Sequence, residues 1–296
     1  MDITGSLCAI ATPFATDGAL DLDAFGRLID YQLDGGTQGI VVAGSTGEAH
    51  MLGEHEYERL LAFAVERIAH RVPVIAGTGE AATTKTVAMT RRARMLGVDA
   101  ALVVTPYYVR PTQDGLRRHF GEVAAHGGIP VMMYNVPSRT GCDLQPETVA
   151  GLRDTADIVG IKEAVGTPER IAALAQLSRP GFVYLSGDDG SAADAMLAGA
   201  GGVVSVVNNL VPKAFRELCD AARGGDRNAA RQHMTRIRPL LEALSCAPNP
   251  IPVKAGLAEL GLCNASLRLP LVELPPGAER TRLREALSSL AGANTP

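Results

Sequence analysis

A lysine stands near the end of a short apolar, β-branched run, Ile158-Val159-Gly160-Ile161-Lys162-Glu163-Ala164. Apolar segments flank it on both sides in the chain. Desolvation would disfavour its ammonium form and lower its pKa. A neutral amine is a nucleophile whose usual partner is a carbonyl, through a Schiff base. A solvent-facing lysine at a strand end would be the unreactive alternative, and that run by itself does not decide between them. Period-two alternation places Lys162 on one face with Gly160 and Ala164, and Val159 and Ile161 on the other. Small neighbours on the lysine's face would leave room for a substrate. Tyr134 follows Met132 on one face of Val131-Met132-Met133-Tyr134-Asn135. A phenol beside a lysine suits carbinolamine formation and dehydration, which move protons to and from one oxygen.

Other polar groups gather at the ends of other apolar runs: Gly44-Ser45-Thr46-Gly47-Glu48, Gly77-Thr78-Gly79, Thr105-Pro106-Tyr107-Tyr108, Asn135-Val136-Pro137-Ser138-Arg139-Thr140-Gly141 and Gly187-Asp188-Asp189. Each has an ordinary explanation in turn or cap chemistry. Their recurrence at the same end of successive strands is what turns alone do not explain.

The elements that must position them alternate. Apolar strand patterns begin at Leu7, Gly39, Val72, Ala101, Val131, Ile158, Phe182 and Val203, and each is followed by a helical pattern. Pro168 suits a first helical turn and Gly97 a position just past a helix. Eight strand–helix units within about the first 225 residues, with strands apolar on both faces, predict an α/β fold, a (β/α)8 TIM barrel. A doubly wound open sheet is the competing arrangement. Beyond Gly224-Gly225 the alternation stops. Helical patterns over Asp226 to Leu244, Pro252 to Leu260 and Thr281 to Leu290 predict a C-terminal helical appendage. The expected division is therefore a catalytic barrel over 1–225 and a helical region over 226–296.

Composition limits the function classes. The chain has 296 residues and a net charge of −4, which offers nucleic acid no electrostatic footprint. No apolar run approaches the roughly 20 residues that span a bilayer, and the first residues do not read as a signal peptide. Five widely spaced cysteines predict reduced thiols and a cytoplasmic setting. His50 and His55 lack one-face metal spacing. Gly77-Thr78-Gly79-Glu80-Ala81-Ala82 fits a dinucleotide fingerprint, but it falls on the third unit and lacks an acidic residue at the end of the next strand.

Taken in order, Gly44-Ser45-Thr46-Gly47-Glu48, Thr105-Pro106-Tyr107-Tyr108, Tyr134-Asn135-Val136-Pro137, Gly160-Ile161-Lys162-Glu163 and Ser186-Gly187-Asp188-Asp189 resemble the signature set of the dihydrodipicolinate synthase / N-acetylneuraminate lyase family. The resemblance covers essentially the whole chain. It implies a (β/α)8 barrel, a class I pyruvate aldolase, a homotetramer, and no metal or organic cofactor. Lys162 is then the imine-forming residue and Tyr134 the proton relay. Ser45 and Tyr108 match the relay partners, with Tyr108 supplied by a neighbouring subunit. Thr46, the Val204 backbone and Gly187 match substrate contacts.

Pro137-Ser138-Arg139-Thr140-Gly141 resembles the synthase branch, in which the arginine holds the carboxylate of L-aspartate-4-semialdehyde. Asn249-Pro250-Ile251-Pro252-Val253-Lys254 with Leu267-Arg268-Leu269-Pro270 resembles that branch too. A sibling aldolase acting on sugar acids is the alternative. Ser45 replaces the relay threonine of many members. At the positions where lysine-inhibited members hold an effector, this chain has Glu54, Tyr57, Ala81 and Lys85, which predicts weak or absent inhibition by lysine.

Overall fold

The computed structural model describes residues 2–292. Eight strands close into a barrel in sequence order: β1 (Gly5–Ala9), β2 (Gly39–Val42), β3 (Val74–Gly77), β4 (Ala100–Val104), β5 (Val131–Asn135), β6 (Ile158–Glu163), β7 (Val183–Ser186) and β8 (Gly202–Ser205). Every neighbouring pair is parallel, and β1 pairs with β8 to complete the ring. Closure removes the open-sheet alternative and leaves no exposed strand edge.

Between the strands lie α1 (Leu22–Asp34), α2 (Glu54–Ile68), α3 (Thr83–Met95), α4 (Gln113–Gly127), α5 (Pro137–Thr140), α6 (Pro146–Leu152), α7 (Pro168–Ala175) and α8 (Ala192–Leu197). After β8 come α9 (Pro212–Arg223), α10 (Arg227–Leu244), α11 (Ile251–Glu259) and α12 (Ala278–Gly292). Several helices start on side-chain caps. Asp21 accepts from the Ala24 amide before α1, and Thr167 accepts from the Arg170 amide before α7. Pro168 is the first helical residue there, because its missing N–H would have had no partner in any case. No described helix is long and apolar enough to cross a membrane.

Alternation along the strands sorts the core into two shells. Leu7, Ala9, Val41, Ile75, Leu102, Met132, Tyr134, Leu185 and Val204 fill the barrel interior. Cys8, Ile40, Val42, Val103, Met133 and Ile161 face outward and pack under the helices. Two features escape the period-two pattern. Val131 pairs with Ile158 but Met132 pairs with Gly160, so β6 carries a bulge at Val159. The extra residue turns Val159 back against the interior cluster, not outward with Ile161 as strict alternation predicts. The other is the end of β8. The apolar run continues to Val207, but the strand stops at Ser205 and Val207–Asn209 forms a 3₁₀ turn.

Candidate active site

Lys162 and Tyr134 are direct partners in the β5–β6 register and both point into the barrel. The lysine Nζ lies 4.1 Å from the centroid of the tyrosine ring. Lys162 is only 5% exposed. Burial pulls its pKa down to about 8; Asp189 opposes that shift and Arg139 adds to it. The amine is still mostly protonated near pH 7, but far more of it is neutral than of a lysine in water. Burial also pushes the Tyr134 phenol up to about 12, so it stays protonated and can donate.

A cavity of about 210 Å³ opens over this pair at the C-terminal end of the barrel. Ser45, Thr46, Tyr134, Arg139, Lys162 and Gly187 all line it. Four different strand ends, those of β2, β5, β6 and β7, thus converge on one space, as expected for a barrel whose chemistry sits in its βα loops. A wider groove of about 620 Å³ lies beside Ile3, Val159 and Phe182 at the opposite end. It contains none of these residues, and that end of a barrel normally serves stability.

The local backbone explains the placement. The loop after β2 holds Ala43 and Glu48 in left-handed conformations, φ 52° and 53°. It runs so close to β3 that a Cβ on Gly77 would sit 2.1 Å from the Ala43 carbonyl oxygen. Only glycine permits that approach. The loop is thereby turned over the barrel mouth with Ser45 and Thr46 at its tip. Arg139 is carried by α5, a single turn started by Pro137, and its guanidinium donates to the Asn249 carbonyl at 3.1 Å.

Outside the barrel wall, Glu163 anchors the end of β6. It accepts from Asn135 Nδ2 at 3.0 Å and from the Val165 amide at 2.8 Å, and it faces Arg170 at 3.5 Å. Burial raises its pKa to about 7 despite these partners. Asp189 Oδ2 accepts from the Val206 and Val207 amides at 3.0 and 2.9 Å, fixing the turn after β8. Asp188 accepts from the Ser191 amide and hydroxyl, a turn-capping role ahead of α8.

Two placements, those of Gly160 and Val204, differ from what the sequence suggests. Gly160 does not open space for a substrate. A Cβ there would lie 2.3 Å from the Val183 carbonyl oxygen, so its lack of a side chain serves the approach of β7. Ala164 does line the cavity, and the glycine that gives the lysine room is Gly187, whose Cβ would lie 3.0 Å from Lys162 Cε. Val204 is buried in the interior shell, and Val206 is the β8-end residue on the cavity wall. Tyr108 is 92% exposed with φ 71° and does not border the cavity within one chain.

Asn249 is a polar cavity residue that motif reading passed over. It lies in a proline-rich turn outside the barrel, and nothing in its local pattern signals a site; only the resemblance drew notice to that stretch.

Residues 2–290 match the Dihydrodipicolinate synthetase family. The 4-hydroxy-tetrahydrodipicolinate synthase of Xanthomonas axonopodis pv. citri is 55% identical over 291 residues, covering 98% of this chain and 96% of its own. A crystal structure of the chloride-inhibited dihydrodipicolinate synthase from Acinetobacter baumannii complexed with pyruvate superposes with a TM-score of 0.95 at 40% identity, covering 98% of this chain and 99% of that one. A monomeric dihydrodipicolinate synthase variant superposes with a TM-score of 0.94 at 38% identity, covering 97% of each chain. The chain belongs to the dihydrodipicolinate synthetase family.

Proposed function

We propose that this member of the family is a class I aldolase that condenses pyruvate with L-aspartate-4-semialdehyde to 4-hydroxy-tetrahydrodipicolinate, in diaminopimelate and lysine biosynthesis. The observation that carries the reading is the buried Lys162 amine over the Tyr134 ring, in a cavity that also holds Arg139. The names and identities of the relatives support the same reaction.

In this mechanism the neutral Lys162 Nζ adds to C2 of pyruvate and gives a carbinolamine. Tyr134 protonates the departing oxygen, which leaves as water, and an imine forms. Loss of a proton from the methyl carbon gives the enamine. That carbon bonds to the aldehyde carbon of the semialdehyde, whose oxygen takes up a proton and becomes the 4-hydroxyl. The substrate's own amine then attacks the imine carbon, closes the ring and releases Lys162. One water is lost overall, and no external oxidant or reductant enters. Thr46 and the backbone at the end of β8 hold the pyruvate carboxylate, and Arg139 holds the carboxylate of the aldehyde.

Ser45 relays protons with Tyr134. Tyr108 completes the relay from a second copy of the chain. Its exposure and left-handed backbone favour a side chain held outward for a partner. The assembly proposed is a cytoplasmic homotetramer, a dimer of dimers, with a barrel over 1–225 and a helical region over 226–296.

Borohydride reduction with pyruvate followed by peptide mapping tests the chemistry. A pyruvyl adduct on Lys162 is expected; an adduct elsewhere, or none, rejects the mechanism. A coupled assay with aspartate semialdehyde against N-acetylneuraminate tests the substrate, and turnover of the sugar acid alone would favour the sibling aldolase.

A further inference from the structure

Asn249 makes two connections across the mouth of the cavity. Its side-chain Nδ2 donates to the Thr46 hydroxyl at 2.9 Å. Its backbone carbonyl accepts from the Arg139 guanidinium at 3.1 Å. One residue of the helical region therefore touches both groups assigned to substrate carboxylates. Its Oδ1 is buried and accepts nothing among the described residues. A residue kept for stability alone gains nothing from an empty buried acceptor.

The hydroxyl chemistry gives this contact a consequence. A threonine hydroxyl has one proton and two lone pairs. When Asn249 Nδ2 occupies a lone pair, the Thr46 proton must find its acceptor elsewhere. Thr46 borders the cavity, where a carboxylate oxygen is such an acceptor. The segments on both sides of the contact are pinned. Lys254, on α11, bonds Glu48 at 2.5 Å and the Ser266 carbonyl at 2.7 Å, so Asn249 and Thr46 are held in one frame.

We propose that Asn249 is a positioning residue for pyruvate: its amide polarises and aims the Thr46 hydroxyl at the pyruvate carboxylate, while its backbone carbonyl separately holds Arg139. The proposal rests on the pyruvate aldolase reading above and adds to it a role for the C-terminal region in ground-state binding.

The two connections separate experimentally, because a side-chain substitution leaves the backbone carbonyl in place. Asn249→Ala should raise KM for pyruvate about tenfold, the worth of one oriented hydrogen bond, with kcat and the aldehyde KM within about twofold of the parent enzyme. Asn249→Asp keeps the volume but replaces the donor with an acceptor, so the Thr46 proton turns away from the substrate. It should bind pyruvate more weakly than Asn249→Ala. Thr46→Val removes the hydroxyl itself, and the Asn249→Ala/Thr46→Val double variant should be no worse than Thr46→Val alone.

Additive effects in that cycle, or pyruvate KM retained in Asn249→Asp, would overturn the proposal. Equal losses in both substrates would mean a general distortion of the mouth and would overturn it too. If Asn249→Ala does not fold, the pyruvate KM of Asn249→Asp against that of the parent enzyme and the Thr46→Val single variant decide. Pyruvate trapping on Lys162 in the parent enzyme keeps the two readings apart: absence of the adduct there rejects the aldolase reading and this proposal together, whereas a normal adduct with unaltered variants rejects this proposal only.

Discussion

The Lys254 ammonium lies 2.5 Å from the Glu48 carboxylate, with both side chains fully buried. The two residues are 206 positions apart. Lys254 also donates to the Ser266 carbonyl and lies 4.2 Å from the Phe14 ring centroid. The Arg268 guanidinium is 4.2 Å from the same ring, and its backbone amide donates to the other Glu48 oxygen at 3.2 Å. Burial lowers the Lys254 pKa, and Glu48 opposes that shift. The pair joins the helical region to the loop that carries Ser45 and Thr46.

Removing one partner should therefore be more damaging than removing both. Lys254→Met leaves a buried carboxylate without its cation and should cost about 3–5 kcal/mol in stability. Glu48→Gln/Lys254→Met removes both charges and should recover most of that loss. Thermal unfolding of the two variants checks this; a single variant as stable as the double would show that the pair carries no such weight.

The two glycines around Lys162 should behave oppositely. Gly160→Ala places a methyl 2.3 Å from the β7 backbone. It should destabilise the barrel by about 1–3 kcal/mol, with larger side chains worse. Gly187→Ala meets the flexible lysine stem at 3.0 Å instead. It should leave the melting temperature nearly unchanged and slow pyruvate trapping by about tenfold to a hundredfold through misplacement of the amine. Melting curves and trapping rates on both variants would show whether these roles are reversed.

Imine formation should follow the titration of Lys162. The neutral amine is the nucleophile, so the trapping rate rises about tenfold per pH unit below the pKa of about 8 and levels off above it. Asp189 favours the ammonium form, so Asp189→Asn should move the midpoint to lower pH. Stability has the same origin. Between about pH 8 and the unfolded value near 10.4, the unfolded chain binds more protons at this lysine than the folded one does. Lys162 therefore makes stability increase with pH across that window, and Lys162→Met should remove that contribution. A trapping profile centred near 10 would contradict the burial argument.

Lysine should inhibit weakly or not at all. Glu54 is engaged by Arg92 at 3.0 Å, and the Tyr57 hydroxyl donates to the Gly77 carbonyl at 2.9 Å. Lys85 is exposed and carries the effector's own charge, and Ala81 offers no amide. Half-maximal inhibition by sub-millimolar lysine in a steady-state assay would refute this.

The barrel was legible because its strands are short apolar runs separated by helical periods, and a pattern of that kind has few closed solutions. The strand at Val131–Asn135 falls where the residues place it. Strand ends at Ser205 and the turn at Pro137–Thr140 do not, because hydrogen bonds to distant groups decide where a strand stops. For Ser205 the deciding group is the Asp189 carboxylate, which takes the next two amides.

Local order grouped Lys162 with Gly160 and Ala164, and Tyr134 with Met132, since alternation along each strand fixes which side chains share a face; closure of the barrel put Lys162 and Tyr134 inside together. Local order also marked the strand ends that carry Ser45, Thr46, Arg139 and Gly187, because polar residues closing apolar runs are visible without any partner. Only the tertiary structure decided the purpose of Gly160, the direction of Val159, and the arrival of Asn249 at the cavity. Each depends on another chain segment: the carbonyl of Val183, the bulge against β5, and the Lys254–Glu48 pair that brings the helical region to the barrel mouth. Contacts over 200 positions leave no trace in local periodicity, because their energy is realised only when both segments are folded.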